Sequence, residues 1–318
     1  MLKKIINSRL LRISISIILI YFAFKKVDVA SLWRQLITMD WWFLAATMFL
    51  SLLGVGLVSW RWSMLLIKKP KLSDVKIFNK SSLVGSFYSL FFPTSVAGDL
   101  LKWMIVDEKY PELSKSRLLG SVILDRFIGM SVFVLAGFMM LLFGGIDGKI
   151  IPLWVWLVFI GLFFGCLVFY VGVCFFDLSK SKLWQIKFLK KFKDVAELVN
   201  KDNRKQIFKA VCISLMSEVL WICQMWFISW YFGTGLTIAS IFVFVPIISM
   251  ILSLPISFAG FGAREQLYVL FFGALATSTE SILLTSAYSG ILGIIVALIG
   301  GLVSLNPDFK KSRESSVK

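Results

Sequence analysis

The sequence predicts an all-α polytopic membrane protein, with about six full transmembrane helices and two re-entrant helical hairpins arranged as an inverted repeat. Three observations predict it. Of 318 residues, 58% are hydrophobic and only 16% charged, with a mean hydropathy of +0.85; a soluble domain of this length cannot bury so much apolar surface. Long apolar windows recur, each near the roughly 20 residues a helix needs to cross a bilayer. Two Pro/Gly-broken segments 162 residues apart align at Pro93 and Pro255, Ser95 and Ser257, Ala97 and Ala259, Gly98 and Gly260, and each is followed by a cation, Lys102 or Arg264.

Residues 10–24 form a short apolar segment behind Lys3, Lys4 and Arg9. No small-x-small cleavage site precedes Lys25, so a retained first helix is expected rather than a removed signal peptide. Full spans are expected over 41–66, 118–143, 152–176, 207–232 and 281–305. The two motif segments each divide at the Pro/Gly turn. Residues 81–93 lead into the first turn and 99–106 lead out, both too short to span. Residues 238–256 and 262–277 flank the second, and these longer arms leave two full spans open as the alternative to a hairpin.

Lys and Arg collect on the cytoplasmic side of membrane proteins. With the N-terminus inside, the cytoplasmic segments hold 26 such residues and the external ones four: Lys25, Lys26, Arg34 and Lys149. Both termini are therefore expected in the cytoplasm, and the net charge of +16 reads as topology rather than nucleic-acid binding. Three full spans separate the motifs. An odd number makes the hairpins enter from opposite faces, so the repeat is inverted. The expected organisation is one transmembrane domain with halves 10–143 and 152–305, a basic linker at 177–206 and a polar tail at 306–318. Within the linker, Trp184, Phe188, Phe192, Val195 and Val199 recur at helical spacing among lysines. That pattern fits a helix lying on an anionic inner leaflet, or one packed on the bundle.

A Pro/Gly break recurring in two hydrophobic halves points to a transport site. Backbone broken at membrane depth survives only where protein or a water-filled cavity covers it. Each turn opens a helical arm whose N-terminus favours an anion, and Lys102 and Arg264 add full charge beside it. An anionic headgroup such as a phosphate suits that arrangement. The plainer alternative is that the hairpins shape the bundle and the cations snorkel to the interface.

Charged groups inside a bilayer cost roughly 2.5–3.5 kcal/mol each on insertion scales and so pair or line a pathway. Asp125 and Arg126 sit within 118–143, Glu218 within 207–232, Asp99 opens one arm and Glu265 follows Arg264. Asp125 or Asp99 is expected to pair with Arg126 or Lys102, and Glu265 or Glu218 to oppose Arg264. Arg61, between Trp60 and Trp62 near a span end, reads as interfacial anchoring.

The chain has no His, which removes imidazole-based acid–base and metal chemistry. Its four cysteines, at 166, 174, 212 and 223, lack metal-type spacing and read as packing residues. No catalytic residue, metal ligand or cofactor is expected; a transferase using Asp99, Asp125 and a divalent ion is the enzymatic alternative.

Three runs, Gly98–Lys102, Ser121–Arg126 and Pro255–Glu265, resemble the transmembrane region of the lysylphosphatidylglycerol synthase/flippase family over roughly residues 10–305. The resemblance implies an integral protein of the cytoplasmic membrane that flips an anionic or aminoacylated phospholipid, or a lipid-linked substrate. It carries over Gly98, Asp99, Lys102, Asp125, Arg126, Pro255, Gly260, Gly262, Arg264 and Glu265. Lys102 departs from the pattern, standing where Arg is expected, which keeps the charge and loses the fork. The chain ends at Lys318 without room for a soluble aminoacyl transferase, so synthase activity is not expected. The expected binding set is Ser95, Gly98, Asp99, Lys102, Asp125 and Arg126 in one half, and Ser257, Gly260, Gly262, Arg264 and Glu265 in the other. Expected partners are a membrane phospholipid or lipid-linked substrate and the anionic cytoplasmic leaflet, with self-association open. A secondary transporter of a small soluble anion and a membrane scaffold are the alternative functions.

Overall fold

The computed structural model describes residues 29–90, 95–144, 151–175, 198–199, 203–254 and 262–305, and among these residues there is no strand. Among the described residues, ten helices follow one another: α1 Val29–Ile37, α2 Trp41–Leu66, α3 Leu72–Ser89, α4 Ser95–Lys109, α5 Lys115–Phe143, α6 Leu153–Phe175, α7 Arg204–Tyr231, α8 Ile238–Ser253, α9 Ala263–Phe272 and α10 Thr279–Ser304. Helices α2, α5, α6, α7 and α10 are long and apolar enough to cross a membrane. They match the five spans expected between 41 and 305. The first expected helix (10–24), most of the basic linker, the polar tail and both Pro/Gly turns (91–94 and 255–261) lie outside the described residues.

Side-chain caps fix several helix starts. The Ser114 hydroxyl accepts the Arg117 N–H at 3.2 Å, so α5 begins three residues before the apolar run does. Thr237 caps α8 and Ser278 caps α10 in the same way, at 3.2 and 3.1 Å, each satisfying an N–H that the first turn leaves over. Large apolar side chains point outward from the long helices. On α6, Leu153 is 73% and Val168 71% exposed, which suits lipid and not water.

The arms around the two motifs differ from expectation in length. Helix α3 starts at Leu72, nine residues before the expected arm: residues 67–71 form a loop, and Asp74 accepts the Lys71 N–H at 2.8 Å where the helix begins. Helix α4 runs back along it. The Ser81 hydroxyl donates to the Lys102 carbonyl, and a Cβ on Gly98 would collide with the Gly85 carbonyl and the Ser89 hydroxyl. Gly98 thus permits a close helix crossing. The second pair is shorter than expected, at 16 and 10 residues, or about 24 and 15 Å at 1.5 Å per residue. Neither arm reaches the ~30 Å of a bilayer core. Phe244 of α8 packs on Phe271 and Phe272 of α9, with ring centroids 5.4 and 5.8 Å apart, so the two arms fold back on each other.

The described residues group into two compact units. One draws on the described residues within 29–53, 83–99 and 220–305, the other on those within 54–82 and 100–219. Neither coincides with a sequence half. In the first unit, Phe43 stacks on Tyr231 at 3.8 Å, Thr47 and Tyr288 share a 2.5 Å hydroxyl bond, and Gly301 of α10 admits the Phe87 ring of α3. In the second, Trp62, Phe78, Leu118, Val122, Ile128, Ile207 and Ala210 form a dry core. Trp62 meets Phe78 edge-on at 4.6 Å, and its indole N–H donates to Ser121 Oγ at 2.9 Å.

Candidate functional site: two buried cationic clusters

The second unit holds the denser cluster. Arg61 reaches in from α2, Lys102 from α4, Asp125 from α5 and Ser214 from α7. Arg61 Nε donates to Asp125 Oδ1 at 2.7 Å, and Nη1 donates to Ser214 Oγ at 2.8 Å. Lys102 Nζ lies 3.6 Å from the other carboxylate oxygen and 4.5 Å above the Trp62 ring, a cation–π contact. The side chains of Arg61, Lys102 and Asp125 are 5%, 3% and 1% exposed. Water therefore screens none of them, and two cations share one carboxylate.

Local sequence explains how three charges come to be so deep. Ser121 and Asp125 are one turn apart on α5, so the Trp62 bond to Ser121 places the neighbouring Arg61 opposite Asp125. Gly129, the next turn along, leaves room for the guanidinium: a Cβ there would stand 2.8 Å from Nη1. The Ser81 bond to the Lys102 carbonyl fixes the backbone from which the ammonium extends.

The first unit carries the other cluster, at the start of α9. Gly262 has φ 77°, a left-handed conformation open to glycine, and its N–H donates to Glu265 Oε2 at 2.7 Å. Glu265 Oε1 accepts from Arg264 Nη2 at 3.0 Å and Nε at 3.3 Å and from the Ser286 hydroxyl of α10 at 3.5 Å. The Arg264 guanidinium lies over Gly290 of α10, where a Cβ would overlap it. Glu265 thus caps its own helix and pairs with the adjacent cation, a local structural role alongside any ligand role.

Several sequence expectations meet here. Asp125 does pair with Lys102, and Glu265 does oppose Arg264. Asp125 takes Arg61 as its closer partner, however, and Arg126, one residue around the helix, is half-buried. Arg61 is not the interfacial anchor that its flanking tryptophans imitate; it is buried and ion-paired. The usable signal was its depth, five residues inside the end of α2. Glu218 belongs with Arg61 and Asp125, whose charges act on it. Ser214, Gly129 and Gly290 carry no sequence signal apart from the helical register of their neighbours. Ser95 and Asp99 lie on α4, with side chains outside the described set, and Pro255, Ser257 and Gly260 are outside the described residues.

Mostly helical and without a strand among its described residues, with five helices long and apolar enough to cross a membrane and charges buried among them, the molecule is an all-α, multi-pass membrane protein. The family model for the lysylphosphatidylglycerol synthase TM region matches residues 9–300, and the chain belongs to that family. Its family places it among membrane proteins that handle lipid. No curated protein and no solved structure matches it.

Proposed function

We propose that the protein is a flippase-like transporter that moves an anionic or aminoacylated phospholipid, or a lipid-linked substrate, across the cytoplasmic membrane, without group-transfer chemistry. The observation that carries this reading is the cluster in which Arg61 and Lys102 share the single carboxylate of Asp125. Two cations against one anion leave a positive charge at a buried place, which attracts a phosphate strongly where water is excluded.

An inverted repeat of re-entrant hairpins is supported by a parallel between the units. Lys102 and Arg264 hold equivalent motif positions. Each unit sets an Arg over a glycine of a long helix, Arg61 over Gly129 and Arg264 over Gly290. One turn earlier on each helix stands a polar group: Asp125 accepts from Arg61 directly, whereas Ser286 donates to Glu265, the acid that holds Arg264. The brevity of α8 and α9 favours a hairpin over two spans. The 26-to-four distribution of Lys and Arg supports cytoplasmic termini.

Reconstituted vesicles containing headgroup-labelled phosphatidylglycerol test the proposal. The wild-type protein should expose inner-leaflet label to a membrane-impermeant quencher, and Lys102→Gln should slow this at least tenfold. Uptake of a labelled soluble anion without lipid movement would overturn the proposal in favour of a soluble-anion transporter.

A further inference from the structure

Glu218, half-buried on α7, is an acid beside the cluster that the proposed headgroup site does not use. It stands four residues after Ser214 on α7, hence on the same helix face, and Ser214 holds Arg61 Nη1. The charged and titratable groups around it are Arg61 on α2 and Asp125 on α5, which act on it directly. Lys102 on α4 reaches it through Asp125, and Tyr170 on α6 through Arg61. Among the described residues no ion pair joins Glu218 to Arg61, whose Nε and Nη1 go to Asp125 and Ser214. Asp125 is locked by two cations, so Glu218 is the carboxylate free to change state.

We propose that Glu218 takes up one proton for each anionic headgroup bound, so that lipid and proton move together. The inference rests on the reading of the cluster as a headgroup site. The excess positive charge of Arg61 and Lys102 over Asp125 is present when Glu218 is neutral; with Glu218 ionised, two cations balance two carboxylates. A bound phosphodiester brings one further negative charge into a place that tolerates no unpaired charge. Protonating the Glu218 carboxylate to the carboxylic acid restores neutrality, and releasing the headgroup returns the proton to water. Nothing is oxidised or reduced; one O–H bond forms and later breaks. The loaded and empty clusters then carry the same charge, which makes transport responsive to a pH difference and indifferent to membrane potential.

Vesicles with the full chain, headgroup-labelled phosphatidylglycerol and a trapped pH dye test this. At one proton per headgroup, one pH unit across the bilayer should shift the steady-state leaflet ratio of labelled lipid about tenfold, since one unit is a tenfold difference in proton activity. A potassium diffusion potential at equal pH should leave the ratio unchanged. Lipid movement should carry protons that the dye records, a readout on the wild-type protein that needs no variant to fold. In Glu218→Gln the ratio should stay near one at any pH difference. Lipid movement in the wild type with a ratio insensitive to pH, or a tenfold shift retained in E218Q, overturns the coupling and leaves the flippase reading standing. Proton-linked accumulation of glycerophosphoglycerol, the same diester without acyl chains, in the absence of lipid movement supports the coupling and overturns the lipid substrate. Movement of neither overturns both.

Discussion

Arg61 lies flat against Gly129, and a Cβ built on that glycine would stand 2.8 Å from Nη1 and 3.1 Å from Nη2. The absent side chain on α5 is what lets a guanidinium from α2 reach Asp125 one turn away. Gly129→Ala should push the guanidinium off its carboxylate. The combined cost of overpacking and a stretched ion pair is about 1–3 kcal/mol, read as a lower thermal midpoint in detergent. Gly290→Ala should do the same to Arg264. Gly161→Ala, on the face of α6 where nothing stands within 4 Å of a Cβ, is the control that should leave the midpoint unchanged.

Because Asp125 neutralises two cations, its loss should be the most damaging single change in the second unit. Breaking a buried pair by removing one partner costs about 3–5 kcal/mol, since the survivor stays charged and dry. Asp125→Asn strands two such survivors, whereas Lys102→Gln leaves Asp125 still paired with Arg61. D125N should therefore unfold at a lower temperature than K102Q, and the double variant should recover part of the difference. Equal midpoints for the two single variants would contradict the shared-carboxylate geometry.

Most of the fold was legible because bilayer-length apolar runs need no tertiary information to be recognised. Residues 41–66 recur unchanged as α2, and the other four long helices begin or end within three residues of the expected bounds. Legibility failed where local chemistry imitates another context. Lys68, Lys69 and Lys71 do lie in a loop, and Lys76 and Lys80 make the start of α3 look like more of it, although the cap from Asp74 and burial of Phe78 hold α3 helical from Leu72. Trp60 and Trp62 dress Arg61 as an interface residue, but only Trp60 is exposed, while Trp62 is fully buried and anchors the cluster. Which acid meets which cation was only half legible. Adjacent Arg264 and Glu265 pair through their own turn, but the Arg61–Asp125 pair joins residues 64 apart in sequence, and helix packing alone selects it.

Outside the spans, Tyr110 ties the end of α4 to the start of α3 by donating to Asp74 Oδ1 at 2.7 Å. Burial, then the bond to Asp74 and its charge, raise the phenol above its ordinary value. A group whose folded pKa is raised contributes stability below its unfolded pKa, near 10 for Tyr, and loses it as pH climbs toward the folded value. The wild-type thermal midpoint should fall above about pH 10 more steeply than that of Tyr110→Phe. Parallel pH profiles would show that this contact does not link to folding.

The two motif cations differ in how they hold their acids, and transport should expose the difference. Arg264 engages Glu265 through both Nε and Nη2, a fork that an ammonium cannot reproduce. Lys102 meets Asp125 at one oxygen and rests on the face of Trp62, contacts that a guanidinium also makes. Arg264→Lys forfeits one charge-assisted bond, about 1.5–3 kcal/mol, and should slow headgroup translocation by about tenfold or more. Lys102→Arg should retain most of the rate, because it keeps both the charge and the aromatic contact. Parallel quencher-accessibility time courses on the two variants measure this asymmetry, and equal losses would mean that the fork at Arg264 plays no part in moving the substrate.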